Sequence, residues 1–230
     1  MTQVPINALA WSVGALALYI FVFRSWRTYR VTRNPLAQIY TLLALTFGTA
    51  LFFFGVPALF TQNTHILRYT YFLADLFVQI SMQVQVWALW FLGLRNYVRL
   101  DYIYMVTIPF SAVLMTLQAM TSHVSVSYSP YIITYSDQPV VLVLKSIIYV
   151  TIALPIGYLL LRQVPKQTSL KSKAKSLVAG MTFIVICLAA TSNNIFDKGS
   201  DTPGSAAVVL TFFIVFVVVQ LIRPAHRPGR

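Results

Sequence analysis

Seven long apolar segments separated by short polar connections dominate the pattern of this chain. Each is close to or above the roughly 20 residues that a helix needs to cross the hydrocarbon core of a bilayer. The predicted spans cover residues 7–23, 36–60, 67–94, 102–120, 140–161, 176–196 and 204–222, and residues 223–230 form a short basic tail. We therefore expect an all-α integral membrane protein, a single domain built as a bundle of seven transmembrane helices.

The connection between the fourth and fifth spans has a different pattern. Two runs that favour β-structure, 124–128 and 131–135, flank the turn dipeptide Ser129-Pro130. This pattern predicts a small β-hairpin over the outer mouth of the bundle. An irregular loop is the alternative, because a proline at this position need not form a hairpin turn.

Composition agrees with the membrane assignment. Hydrophobic residues make up 58% of the 230 residues and charged residues 10%, whereas soluble domains carry about 25% charged residues. This excludes a soluble globular domain, a disordered chain and a disulfide scaffold.

The cations are distributed unevenly between the two sides of the predicted membrane. Of the 17 lysines and arginines, fourteen fall on one side: Arg24, Arg27, Arg30, Arg33, Arg95, Arg99, Arg162, Lys166, Lys171, Lys173, Lys175, Arg223, Arg227 and Arg230. The positive-inside rule places that side in the cytoplasm. The N-terminus is then outside and the C-terminus inside, and we expect a multi-pass membrane protein in contact with membrane lipids.

Residues for catalysis or metal binding are not grouped in this sequence. Phosphate-binding, zinc-hydrolase and nucleophile-elbow motifs are missing, the three histidines are scattered, and Cys187 is the only cysteine. We expect no enzymatic activity, no cofactor, no metal and no nucleic-acid partner.

Two ionisable residues, Asp75 and Lys145, fall inside predicted spans. Such a residue costs about 2.5–3.5 kcal/mol on insertion scales and usually has a partner inside the bundle. Both spans enter the membrane from outside. At 1.5 Å per residue, Asp75 lies about 10 Å and Lys145 about 8 Å from the outer end of its span. We predict an ion pair in the outer half of the bundle. Alternatively, Lys145 extends to the outer interface and Asp75 is capped locally.

Further polar residues lie near this predicted pair. Asp75, Gln79 and Gln83 recur at i, i+4 and i+8, which favours one helical face. The candidate ligand-binding residues are Asp75, Gln79, Gln83, Lys145, Tyr149, Asn193 and Asn194. They can hold the helices together by hydrogen bonds, or they can line a ligand pocket that opens to the outside.

Several segments resemble a known family. The first span ends in a basic stretch (24–30), the third ends in an aromatic-rich inner segment (87–95), the loop after the fourth has strand character, and Asn193 and Asn194 lie near the outer end of the sixth. This layout is similar to the seven-helix sensor region at the N-terminus of bacterial and archaeal histidine kinases. The resemblance implies sensing of an outside or membrane-borne stimulus and a location in the plasma membrane. A rhodopsin-like retinal pigment is not expected, because residues 206–222 contain no lysine.

The expected function is therefore that of a receptor-like sensor. It would bind a small ligand, lipid or partner in the outer half of the bundle. Because this chain ends eight residues past Ile222, we expect it to signal through a separate cytoplasmic or membrane protein. The alternative is a non-catalytic structural or accessory subunit of a membrane complex, in which the polar residues serve only packing.

Overall fold

The computed structural model describes residues 5–128 and 131–195, except for the side chains of 125–128, 131, 132, 134, 136, 171, 189 and 192–195. Long helices dominate this part of the chain: α1 (Ile6–Thr32), α2 (Pro35–Phe60), α3 (Thr64–Leu89), α4 (Leu100–Thr121), α5 (Pro139–Gln163) and α6 (Leu170–Ile195). A π-helical turn, Trp90–Leu94, continues α3, and a 3-10 turn, Val164–Lys166, follows α5. Two strands, β1 (His123–Tyr128) and β2 (Tyr131–Ser136), join α4 to α5.

Five of the described helices, α1 to α5, are long and apolar enough to cross a membrane. Their length and composition indicate an all-α, multi-pass membrane protein. Helix α6 contains most of the predicted sixth span. The predicted seventh span, 204–222, lies outside the described residues, so the count of seven stays a prediction.

Two helices extend further than their apolar segments. Helix α1 continues to Thr32 and α6 begins at Leu170, so the basic stretches 24–30 and 171–175 are helical rather than connections. Arginine and lysine are good helix formers, and the loss of hydropathy at a membrane surface does not end a helix.

The turn between α1 and α2 is specified locally. Arg33 adopts a left-handed conformation (φ 51°), and its N–H bonds the Tyr29 carbonyl to end α1. The Asn34 side chain then accepts a hydrogen bond from the Leu36 N–H, with Pro35 at the first helical position. The two helices therefore run antiparallel.

Small residues let α1 and α2 approach closely. A Cβ atom at Gly55 would lie 2.6 Å from the Ala8 carbonyl oxygen, and one at Gly48 would lie 3.2 Å from Leu18 Cβ. These two glycines are seven residues apart and so share one face of α2. Glycines also allow close contact of α5 with α6, where a Cβ at Gly157 would lie 2.9 Å from the Gly180 carbonyl oxygen.

The strands cover one end of the bundle. They pair antiparallel, with Val124 opposite Tyr135, and they contact α1 and α3. The Asn7 side chain fixes β2, because its amide donates to the Ile133 carbonyl oxygen (2.6 Å) and its oxygen accepts from the Ile133 N–H (3.4 Å). We call this end, where α1, α3 and α5 begin, the strand end, and the opposite end the basic end.

Candidate functional site

Lys145 on α5 lies at the centre of a buried ionic cluster near the strand end. Its Nζ is 2.8 Å from Asp75 Oδ2 on α3 and 2.6 Å from Asp137 Oδ2. The exposed fractions of the Lys145, Asp75 and Asp137 side chains are 6%, 4% and 0%. The predicted ion pair is therefore confirmed. The alternative, in which Lys145 extends to the interface and Asp75 is capped locally, is wrong, because both side chains are buried and lie against each other.

Asp137 is the member of this cluster that sequence reasoning missed. It lies in the connection between β2 and α5, outside every predicted span, and nothing in the hydrophobicity pattern marks it. The Tyr71 hydroxyl on α3 donates a 2.7 Å hydrogen bond to the same oxygen, Asp137 Oδ2. The Lys145 ammonium also lies 5.6 Å from the centre of the Tyr71 ring, a cation–π distance. We define Lys145, Asp75, Asp137 and Tyr71 as the Lys145 cluster.

Hydrogen bonding in the Lys145 cluster is incomplete. Asp137 Oδ1 is buried and has no hydrogen-bond partner among the described residues. The Gln118 side chain on α4 lies beside the Asp75 carboxylate, but neither of its amide atoms makes a well-formed hydrogen bond to a described group. Buried ions repay their desolvation only when the remaining acceptors are also satisfied. The cluster therefore buries a carboxylate oxygen that no described donor satisfies.

Aromatic rings cover the cluster on the side of the strands. The rings of Tyr71 and Tyr135 are stacked, with centroids 4.7 Å apart and an interplanar angle of 9°. Trp11 and Phe54 pack against Tyr135 at 5.8 and 5.7 Å, and the Tyr135 hydroxyl donates to the Phe54 carbonyl oxygen. These contacts join β2 to α1, α2 and α3. The rings therefore lie between the cluster and the surface at the strand end.

Gln79 lies on α3 one turn from Asp75, toward the basic end. It is 3% exposed, and both of its amide atoms lack a hydrogen-bond partner within the described part of the chain. Burying an unpaired amide costs about 1–3 kcal/mol. Gln79 thus lies one turn of α3 from Asp75, and no described side chain accounts for the burial of its amide.

Gln83, predicted to share this face, hydrogen-bonds to α4, the helix whose Gln118 lies beside Asp75. Its amide donates to Ser111 Oγ (2.9 Å), and its oxygen accepts from Thr107 Oγ1 (2.8 Å), both on α4. At 100° per residue, eight residues turn a helix by about 80° beyond two full rotations, so the Gln83 side chain is offset by that angle from Asp75 around α3. Its role is interhelical hydrogen bonding, which is one of the two interpretations that the sequence left open.

An apolar cavity of about 90 Å³ lies between the helices, displaced from the cluster toward the basic end. Of the predicted ligand-binding residues whose side chains are described, only Tyr149 lines it. The lining residues are Leu18, Phe21, Tyr40, Leu43, Ala44, Phe47, Val78, Gln85, Tyr149, Ala153, Thr182, Phe183, Ile186 and Cys187. Apolar positions inside a bundle carry no signal of a cavity in the sequence, because a packed core and a lined cavity use the same residue types.

The remaining predicted residues, Asn193 and Asn194, belong to the last turn of α6, and their side chains lie outside the described residues. No group of three or more histidine, cysteine, aspartate or glutamate side chains that could hold a metal ion occurs among residues 5–128 and 131–195. The chain matches no protein-family model and no curated protein.

Proposed function

We propose that this protein is a receptor-like membrane sensor, in which a ligand bound near the strand end changes the Lys145 cluster and the change is passed to a separate protein. One observation carries the proposal. A single buried ammonium is shared by a carboxylate on a helix, Asp75, and a carboxylate on a connection, Asp137.

The sharing of Lys145 gives the cluster two arrangements that a ligand can distinguish. Asp75 is fixed within α3, whereas Asp137 follows β2 and precedes the start of α5 by two residues. A ligand that binds better when Asp137 has left Lys145 stabilises that state by its difference in affinity. Movement of Asp137 would displace both β2 and the first turn of α5.

The proposed orientation puts the strand end outside the cell. The cation distribution supports this orientation, because the basic stretches lie at the opposite end of the described bundle and in the tail. A stimulus from outside would then reach the cluster first, and the partner protein would bind at the cytoplasmic side. We propose the plasma membrane as the location because of the resemblance of the sequence to the sensor regions of histidine kinases.

The test compares Asp75→Asn with a matched control, Gln83→Leu. Both residues are polar and on α3, but only Asp75 contacts Lys145. We expect Asp75→Asn to change amide hydrogen exchange in residues 133–137 and the amount of co-purifying partner protein, with membrane insertion unchanged. Gln83→Leu should alter neither. Identical exchange and identical partner recovery in wild type and Asp75→Asn would contradict a sensor.

A structural or accessory subunit is the second candidate. The hydrogen bonds from Gln83 to Thr107 and Ser111 favour it, because they join α3 to α4 and have no need of a ligand. Mild solubilisation separates the two functions. A subunit would keep a stoichiometric membrane partner in wild type and in Asp75→Asn alike, whereas a sensor would bind its partner in a manner that depends on the cluster.

A further inference from the structure

The Asp137 carboxylate, which belongs to the protein chain itself, is bound to the Lys145 ammonium. Its Oδ2 receives both the Lys145 ammonium (2.6 Å) and the Tyr71 hydroxyl (2.7 Å), while its Oδ1 has no partner among the described residues. Two donors therefore converge on one oxygen and leave the other oxygen unused. Carboxylates bind most tightly when both oxygens accept hydrogen bonds. Lys145 and Tyr71 would therefore bind a carboxylate that offers both of its oxygens more tightly than they bind Asp137.

The charge of the cluster permits an exchange of one carboxylate for another. Asp75 by itself balances the charge of Lys145, so Asp137 is the second negative charge on one ammonium. If an incoming carboxylate replaced Asp137, the buried charge would stay the same. Asp137 would regain water while the ligand lost it, and the two desolvation costs would largely cancel. Binding is then decided by what the rest of the ligand contributes.

The apolar cavity supplies a place for the rest of the ligand. Tyr149 lines this cavity and lies one turn of α5 from Lys145, and its side chain is close enough to interact electrostatically with Lys145, Asp75 and Asp137. Apart from a few hydroxyl, amide and thiol groups, the lining is aliphatic and aromatic. A volume of about 90 Å³ suits part of an alkyl chain or a small aromatic group.

We propose that the Lys145 cluster binds a small amphiphilic monocarboxylate, whose carboxylate replaces Asp137 on Lys145 and Tyr71 and whose apolar body lies toward the cavity beside Tyr149. This inference rests on the proposed function and names the ligand class of that same site. Release of Asp137 would be the first step of the signal, because the residue connects β2 to α5.

The experiment measures binding of octanoate to the full chain in lipid nanodiscs by isothermal titration calorimetry, with octan-1-ol and octylamine as compounds of equal length. We expect octanoate alone to bind with saturation. Lys145→Met should abolish this binding, and Gln83→Leu should leave it unchanged. Asp137→Asn should tighten it by about tenfold or more, since apparent affinity is reduced by the fraction of molecules in which the site is free.

The opposite effects of the two cluster variants make the test specific. If Asp137→Asn weakened octanoate binding or left it unchanged, or if octan-1-ol bound equally well, the exchange would be overturned. Binding of octylamine in place of octanoate would overturn it too and would show that the cluster recruits cations.

A measurement on the wild-type chain covers the case in which Asp137→Asn fails to fold. Octanoate should speed amide hydrogen exchange in residues 133–137, because release of Asp137 removes one anchor of this segment; unchanged exchange at saturating octanoate would contradict the proposal. Loss of the octanoate effects, combined with partner binding that still depends on Asp75, would reject this ligand class and leave the proposed sensor function standing.

Discussion

Replacing Lys145 by methionine tests the energetic importance of the cluster. The change keeps a side chain of similar length and removes the charge that Asp75 and Asp137 share. Both carboxylates would remain buried. Asp137 would keep the Tyr71 hydroxyl as a donor, whereas the Gln118 amide beside Asp75 makes no well-formed hydrogen bond to a described group.

The burial of the cluster sets the expected magnitude. Exposed ion pairs contribute about 0–1 kcal/mol, but here no side chain of the three is more than 6% exposed. Removing one member of a buried pair typically costs about 3–5 kcal/mol, because it leaves an uncompensated charge. We expect Lys145→Met to lower the free energy of unfolding by about this amount.

The assay is reversible unfolding of the purified chain in mixed micelles, followed by tryptophan fluorescence. The triple variant Lys145→Met, Asp75→Asn, Asp137→Asn is the critical comparison. It removes all three charges, so it should recover most of the stability that the single variant loses. A single variant within about 1 kcal/mol of wild type, or a triple variant no more stable than the single one, would refute the electrostatic reasoning.

Three further predictions concern stability in the same assay. Gly55→Ala should lower the free energy of unfolding by about 1–3 kcal/mol, because the added methyl group overpacks α1 against α2. Gly48→Ala should lower it less, because there is more room at Gly48. Equal losses for the two variants would contradict the packing described. Asn7→Ala should cost about 1–3 kcal/mol and speed proteolysis of β2, because it removes both hydrogen bonds to the Ile133 backbone. Gln83→Leu should lower the free energy of unfolding by about 0.6 kcal/mol for each interhelical hydrogen bond lost. Gln79→Met should raise it by about 1 kcal/mol. If instead Gln79→Met were the more destabilising variant, Gln79 would have the stronger hydrogen-bond partner.

Local patterns were sufficient for the helices. The five described spans from α1 to α5 fall where the apolar segments predict them, because the need to bury about 20 residues in lipid and the 1.5 Å rise of a helix act over short stretches of chain. The ends were less well predicted. Basic residues at 24–30 and 171–175 interrupt the hydropathy but not the helix.

The pairing of Asp75 with Lys145 could also be predicted, since two rare charges of opposite sign at similar depth have few other partners in lipid. Gln83 shows what this kind of reasoning leaves open. A spacing of eight residues puts Gln83 within about 80° of Asp75 around α3, but it does not say that the hydrogen-bond partners of Gln83 are Thr107 and Ser111 on α4.

The sequence by itself determined that this chain forms apolar helices for a membrane and that Asp75 and Lys145 need each other. Only the tertiary structure decided that Asp137 completes the cluster, that Tyr71 donates to it, and that a cavity lies beside Tyr149. The physical reason is the range of the interactions. Burial in lipid and helical periodicity act along neighbouring residues. The position of Asp137, in contrast, depends on how β2 folds back over the bundle, where the side chain of Asn7, 126 residues before Ile133, holds it.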